Sequence, residues 1–169
     1  RWLEADEQLA WRAVVEFCGR IIDGMDTVVA AFGLTGADYE VLVHLSEAEE
    51  SGLRMSELAA RVLVSRSRLT YRVDRLEERG LVVRENCETD RRGFIARLTP
   101  AGRQLLVEVA PHHVAGVRAR LVDRVDREEF LTLGRIVTKV LGYDLDAEPR
   151  DFLRRVELVV ERVHRAQRV

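Results

Sequence analysis

Ser65-Arg66-Ser67-Arg68-Leu69-Thr70-Tyr71-Arg72 interleaves short hydroxyl side chains with guanidinium groups over two turns' worth of chain, and Arg75 extends the series. Arginine forks bind guanine bidentately, hydroxyls reach base edges or phosphate, and a helix N-terminus attracts anions. A helix entering a DNA major groove needs these groups on its first turns, where large apolar side chains would not fit. The same pattern also describes a solvated, arginine-rich face making surface ion pairs, so the surroundings must decide between the two.

Those surroundings are electrically segregated. Between Arg54 and Arg92 ten arginines stand against seven acidic residues, a local charge of +3 in a chain whose net charge is −2. The whole-chain balance therefore gives no sign of a nucleic-acid partner, whereas the segment does. The 169 residues, 47% hydrophobic and only 6% aromatic, suffice for one core and read as mostly helical. No apolar run is long enough to span a bilayer and no signal-peptide pattern opens the chain, so a cytoplasmic protein is expected. Arg1 in place of Met implies a start inside a longer chain. Cys18 and Cys87 are far apart and are expected to remain reduced thiols.

The elements that must position the arginine series follow from periodicity and capping. Leu3 to Ala31 carries Trp11, Val14, Val15, Cys18, Ile22, Met25 and Val29 at three- and four-residue steps, which predicts a long amphipathic helix with Cys18 on its buried stripe. Thr35 and Asp38 form a capping box for a second helix through Leu45, burying Tyr39, Leu42 and Val43. A polar loop, Glu47 to Gly52, and a short extended piece, Leu53-Arg54-Met55, precede Ser56 as the expected cap of a third helix burying Leu58, Ala59 and Val62. Ser65 then caps a fourth, running to Arg79, with Leu69, Val73 and Leu76 inward and Arg66, Ser67, Thr70, Tyr71 and Arg75 outward. Gly80 supplies its left-handed stop.

Leu81–Arg84 and Phe94–Leu98 predict a hairpin, with Phe94, Ala96 and Leu98 on one face, around a long polar loop, Glu85–Gly93, ending in Arg91-Arg92. Such a basic-tipped loop has the shape of a wing, and it favours the DNA reading of the arginine series. Thr99-Pro100 opens a helix bearing Leu105, Leu106, Val109, Val117 and Leu121, bent at Pro111. Asp126 and Glu129 cap another, burying Phe130, Leu133, Ile136, Val137 and Val140. Phe152, Val156, Val159 and Val163 predict a last helix after Pro149.

Met55-Ser56-Glu57-Leu58-Ala59, Leu69-Thr70, Val73-Asp74-Arg75-Leu76-Glu77, Arg79-Gly80-Leu81, Asp90-Arg91-Arg92 and Leu98-Thr99-Pro100-Ala101-Gly102 stand in the order and spacing of one known pattern. From Leu3 to Gly142 the chain resembles the MarR family of winged-helix regulators. The resemblance implies a mainly α fold with a small β-hairpin wing, in which a winged helix-turn-helix head joins a helical dimerisation region. Residues 1–145 would form this unit, with 1–34 and 100–142 as dimerisation helices and 35–99 as the DNA-binding head; 146–169 would be a C-terminal helical extension, a dimer brace or a loosely attached helix. Carried over, Ser65, Arg66, Ser67, Arg68, Thr70, Tyr71, Arg72 and Arg75 would lie on the recognition helix. Arg91 would enter the minor groove, Arg92 would meet phosphate, and Asp90 would either orient both or be an ordinary turn residue. A homodimer would bind a pseudo-palindromic duplex operator with half-sites about 10 base pairs apart.

The family also implies a small aromatic or phenolic effector and a repressor that it releases. Phe17, Ile21, Tyr39 and His44 are the candidate wall residues, with ordinary helix packing as their alternative reading. Some relatives sense oxidants, which makes Cys87 a possible redox site, although Glu85 and Glu88 beside it would raise its thiol pKa. Four histidines, His44, His112, His113 and His164, lack metal-ligand spacing, so no metal and no cofactor is expected. No phosphate loop, nucleophile elbow or nucleophile–base pair is present, and an enzyme is not expected. A winged-helix protein-interaction module remains the rival, against which the arginine helix and the wing both argue.

Overall fold

Four of the six helices among the described residues open at a side chain that accepts a first-turn backbone N–H: Thr35 from Asp38, Ser65 from Arg68, Thr99 from Gly102 and Asp126 from Glu129. Each cap satisfies an amide that the helix cannot pair, at a typical gain of about 1 kcal/mol. Thr35 and Asp126 are full capping boxes, because Asp38 and Glu129 bond back to the cap N–H. The computed structural model describes residues 1–48, 51–62, 64–87 and 90–142, excluding the side chains of residues 90–92.

In chain order the elements are α1 (Ala5–Ala30), α2 (Gly36–Glu47), β1 (Leu53–Arg54), α3 (Met55–Arg61), α4 (Arg66–Glu78), β2 (Val82–Cys87), β3 (Asp90–Leu98), α5 (Pro100–Arg120), a 3-10 turn (Val122–Arg124) and α6 (Arg127–Leu141). The core lies in the head. Leu42 and Leu45 of α2, Leu58 of α3, and Leu69, Val73 and Leu76 of α4 are sealed against Val82, Ala96 and Val109. The predicted inward stripes of α3 and α4 are thus observed; of the set expected on α2 Leu42 is buried and Tyr39 and Val43 are half-buried, while Val41 and Leu45 are the further core residues.

Gly80 sits at φ 67, and the N–H groups of Gly80 and Leu81 bond back to the carbonyls of Glu77 and Leu76, which ends α4 as the sequence indicates. The chain can then turn into β2. At Gly102, a Cβ would run into the Leu81 carbonyl, so only glycine lets the start of α5 approach the strand this closely. The Thr99 hydroxyl donates to the Gly80 carbonyl at 2.7 Å and locks the same corner.

Several expectations are corrected. α3 opens at Met55, with Arg54 as its N-cap, because β1 runs straight into the helix and leaves Ser56 inside the first turn. β1 is a third strand, pairing antiparallel with β3 in the order β1-β3-β2. The long loop expected from Glu85 to Gly93 is mostly strand: β2 and β3 pair as far as Cys87 opposite Asp90, with an irregularity after Asn86. Arg91 and Arg92 therefore stand on β3 rather than in a loop. Phe94 shares its alternation with buried Ala96 and Leu98 yet is 47% exposed, because it lies beyond the part of the sheet that covers the core. Cys18 is exposed, not core.

The largest correction concerns α1 and α6. Trp11, Val14, Val15 and Ile22 of α1, and Ile136, Val137 and Val140 of α6, are exposed, and α6 buries no residue at all. The amphipathic stripes exist, but among the described residues nothing covers these side chains. Residues 143–169, including the expected last helix, lie outside the described residues.

Candidate nucleic-acid interface

Because Leu69, Val73 and Leu76 anchor α4 at steps of four and three, the helix holds its opposite face in solvent. Ser65, Arg66, Ser67, Arg68, Thr70, Tyr71 and Arg75 are all exposed, Tyr71 at 63%. The hydroxyls are locally oriented: Ser65 Oγ lies 3.2 Å from Ser67 Oγ, and Thr70 Oγ1 donates to the Arg66 carbonyl at 2.9 Å. The guanidinium groups of Arg66, Arg68 and Arg75 have no hydrogen-bond or ion-pair partner among the described residues. The solvated-face alternative, in which surface ion pairs hold these arginines, therefore has no support from their geometry.

The other arginines of the head are taken up internally. Arg72 Nη1 donates to Thr35 Oγ1 at 3.2 Å and to Asp38 Oδ1 at 3.4 Å, where the Asp38 side chain is only 7% exposed. Arg79 donates to the carbonyls of Gly33 and Phe32 at 2.7 and 3.3 Å, closing the α1–α2 corner onto the end of α4. Arg84 of β2 bonds Glu77 Oε2 through Nε and Nη2, and Asp74 Oδ1 through Nη1 at 2.7 Å. Its backbone N–H also donates to Glu77 Oε1. Burial alone would raise the Glu77 carboxyl, but these bonds and the Arg84 charge outweigh it and lower the pKa. The Arg84 pKa moves the other way: burial opposes its charge, and Glu77 and Asp74 more than restore it. This cluster braces the wing strand on α4.

Sequence reasoning missed these clamps. It counted Arg72 among the DNA-contacting residues of the recognition helix, whereas the structure places its guanidinium between α4 and the start of α2. The side chains of Asp90, Arg91 and Arg92 lie outside what is described; only their place on β3 is fixed. Cys87 is buried at 5% exposure, so the more accessible thiol is Cys18. Burial shields Cys87 from the oxidants that a redox role, the alternative reading of this residue, would require.

A cavity of about 530 Å³ opens between α1, α2 and α5, lined by Ile21, Ile22, Met25, Asp26, Val29, Gly36, Ala37, Tyr39, Glu40, Val43 and His113. Of the four residues expected to wall such a pocket, Ile21 and Tyr39 do so. Phe17 is exposed and does not line it, and His44 instead meets Glu47 at 3.3 Å. His113 was not expected here; it stacks on Tyr39 with ring centroids 4.6 Å apart. Its partner lies on a different element, which no local spacing reveals. Among the described residues no cluster of three or more His, Cys, Asp or Glu is placed to hold a metal, and no helix is long and apolar enough to cross a membrane.

A helix-turn-helix whose second helix presents unpaired arginines, followed by a two-stranded hairpin and backed by a third short strand, defines a winged helix-turn-helix protein. The sequence model of the MarR family matches residues 32–93, the head itself. The structure superposes on AbsC, a MarR family transcriptional regulator from Streptomyces coelicolor, with TM-score 0.80 and 42% identity, covering 84% of this chain and 96% of that one. Sco3205, a MarR family regulator from the same organism solved in complex with DNA, gives TM-score 0.81 and 39% identity over 88% of this chain and 95% of that one. The transcriptional repressor MdtR of Bacillus subtilis is 31% identical over 138 residues, 82% of this chain and 85% of MdtR. The chain belongs to the MarR family. In other curated relatives the match spans only about half to two thirds of their length.

Proposed function

We propose that the protein is a homodimeric, sequence-specific DNA-binding transcriptional repressor, released from its operator by a small aromatic effector. The observation that carries the reading is the division of arginines in the head. Arg72, Arg79 and Arg84 stiffen it from within, while Arg66, Arg68 and Arg75 stand unpaired on the exposed face of α4 beside Ser67, Thr70 and Tyr71. Unpaired guanidinium groups on a rigid helix are what major-groove recognition needs, since they lose no internal partner on binding. Arg91 on β3 would reach the adjacent minor groove and Arg92 the backbone, with Asp90 orienting them.

The apolar faces that α1 and α6 leave exposed among the described residues support the dimer, since a second copy would cover them. Two-fold symmetry then calls for a pseudo-palindromic operator with half-sites about 10 base pairs apart. The effector would occupy the cavity beside Tyr39 and His113, whose volume falls in the range of small-molecule sites. Release would follow if occupancy moved α2 and, through Arg72 and Asp38, the reading helix.

Selection of bound sequences from a random duplex pool tests the reading. A two-fold motif bound with strong salt dependence, and a much weaker affinity for scrambled duplex, are expected. Equal affinity for selected and scrambled DNA would overturn it in favour of a winged-helix protein-interaction module.

A further inference from the structure

The chemistry of the cavity wall is lopsided. Two carboxylates, Asp26 from α1 and Glu40 from α2, are exposed and stand at its rim, and among the described residues no lysine or arginine lines it. The remainder is apolar apart from the stacked pair Tyr39 and His113. Neither ring supplies positive charge at neutral pH. Burial lowers the His113 pKa, keeping the imidazole neutral, and pushes the Tyr39 hydroxyl up to about 12, so that it stays protonated. Arg72, whose charge acts on Glu40, is already engaged with Asp38 and Thr35.

Glu40 itself is undercompensated. It has no hydrogen-bond or ion-pair partner among the described residues, and burial raises its carboxyl pKa even against the charges of His44 and Arg72. A carboxylate held beside an apolar surface attracts a cation more strongly than one in open water. Asp26 keeps one oxygen on the Gly36 N–H at 2.6 Å, which leaves the other available. A neutral aromatic wall offers a cation a further favourable surface through the ring quadrupole, and offers a carboxylate nothing.

We propose that this cavity takes aromatic organic cations, an aryl ring entering against Tyr39 and His113 while its ammonium group sits between Asp26 and Glu40, and that it discriminates against aryl carboxylates of the same shape. The proposal rests on the reading of the cavity as the effector site and narrows the ligand from aromatic compounds in general to those carrying positive charge.

Three naphthalene derivatives of matched size, 1-naphthylethylammonium, 1-naphthylethanol and 1-naphthylacetate, provide the test. Binding to the protein of residues 1–169 is followed by calorimetry and by release of fluorescent operator. The ammonium compound is expected to bind at least tenfold more tightly than either of the others. In the Asp26→Asn/Glu40→Gln double variant that preference should collapse to within about twofold. Asparagine retains an oxygen to accept the Gly36 N–H, so the unliganded melting temperature serves as the folding control. Equal affinity for the alcohol, or a preference for the carboxylate, overturns the charge assignment while leaving an effector site in place. Binding of none of the three overturns the effector reading of the cavity and this inference with it.

Discussion

Arg72 in the middle of α4 donates to the carboxylate of Asp38, 3.4 Å away and 34 residues earlier in the chain. Asp38 is also the residue whose carboxylate closes the capping box of α2 through the Thr35 N–H at 3.0 Å. One carboxylate therefore ties the reading helix to the first turn of the helix whose next two residues, Tyr39 and Glu40, line the cavity. The two sites are linked by a single buried acid.

This arrangement predicts that Arg72→Ala acts on stability rather than on reading. Removing the guanidinium leaves a buried carboxylate without its cation, at a cost of about 1–3 kcal/mol, which for a chain of this size lowers the melting temperature by roughly 5 °C. The ratio of operator to scrambled-DNA affinity should change less than in Arg68→Ala. Calorimetric melting and parallel DNA titrations read both quantities. A fully stable Arg72→Ala that has lost discrimination would move Arg72 into the base-contacting set.

Arg68 and Arg91 should separate in the opposite sense. The Arg68 side chain is exposed and unpaired among the described residues in the first turn of α4, so truncation costs the fold little, and loss of a bidentate base contact is worth about 1–3 kcal/mol of discrimination. Arg91→Ala is expected to weaken binding to all sequences alike and to reduce the slope of log K against log salt by about one. Titrations at four salt concentrations on operator and scrambled duplexes distinguish them. Unchanged curves for both variants would remove the docking arrangement.

Glu77 and Arg84 predict an acid-sensitive wing. The Glu77 pKa is lowered from 4.5 in the folded protein by the Arg84 bonds and charge, despite the opposing effect of burial. A depressed carboxyl contributes stability that is complete above its unfolded pKa and is lost as pH falls through the folded value. The wild type should therefore lose stability progressively below about pH 4.5. Glu77→Gln should melt lower at neutral pH, by an amount corresponding to about 1–2 kcal/mol for the charge-assisted bonds, and show a shallower acid slope. Identical slopes in the two proteins would show that the pair contributes no pH-dependent stability.

What was legible in the sequence was local. Thr35 with Asp38, Ser65, Gly80, Thr99 and Asp126 with Glu129 act on backbone groups within a turn or so, so residue type and spacing nearly determine their geometry. The clamps of Arg72 on Asp38 and Arg84 on Glu77, and the stacking of His113 on Tyr39, depend on how separate elements pack. A solvent-facing and an internally bonded arginine look identical in a string of letters. The hairpin was under-read for a different reason: beyond the core Glu85 and Asn86 are both exposed, so no apolar alternation marks the strand. In α1 and α6 the stripe was legible but its partner was not, because an apolar periodicity says that a face will be covered and not by what.

Ile136, Val137 and Val140 give that last point its test. All three are exposed on α6, at 56%, 45% and 81%, and the helix buries no residue in its own subunit. Burying an apolar side chain of this size in an interface is worth about 1.5–3 kcal/mol, and a carboxylate in its place would have to be desolvated without a partner. Ile136→Glu is therefore expected to shift the protein from dimer to monomer at micromolar concentration by sedimentation velocity, while far-UV circular dichroism stays unchanged. Operator affinity should fall with the dimer, since one head alone loses the effective-concentration advantage of two on linked half-sites. Single half-site binding should survive, because α4 and its arginines are untouched. A variant that remains dimeric would place the two-fold contact on α1 without α6, and the corresponding substitution at Val14 would then be the one that dissociates it.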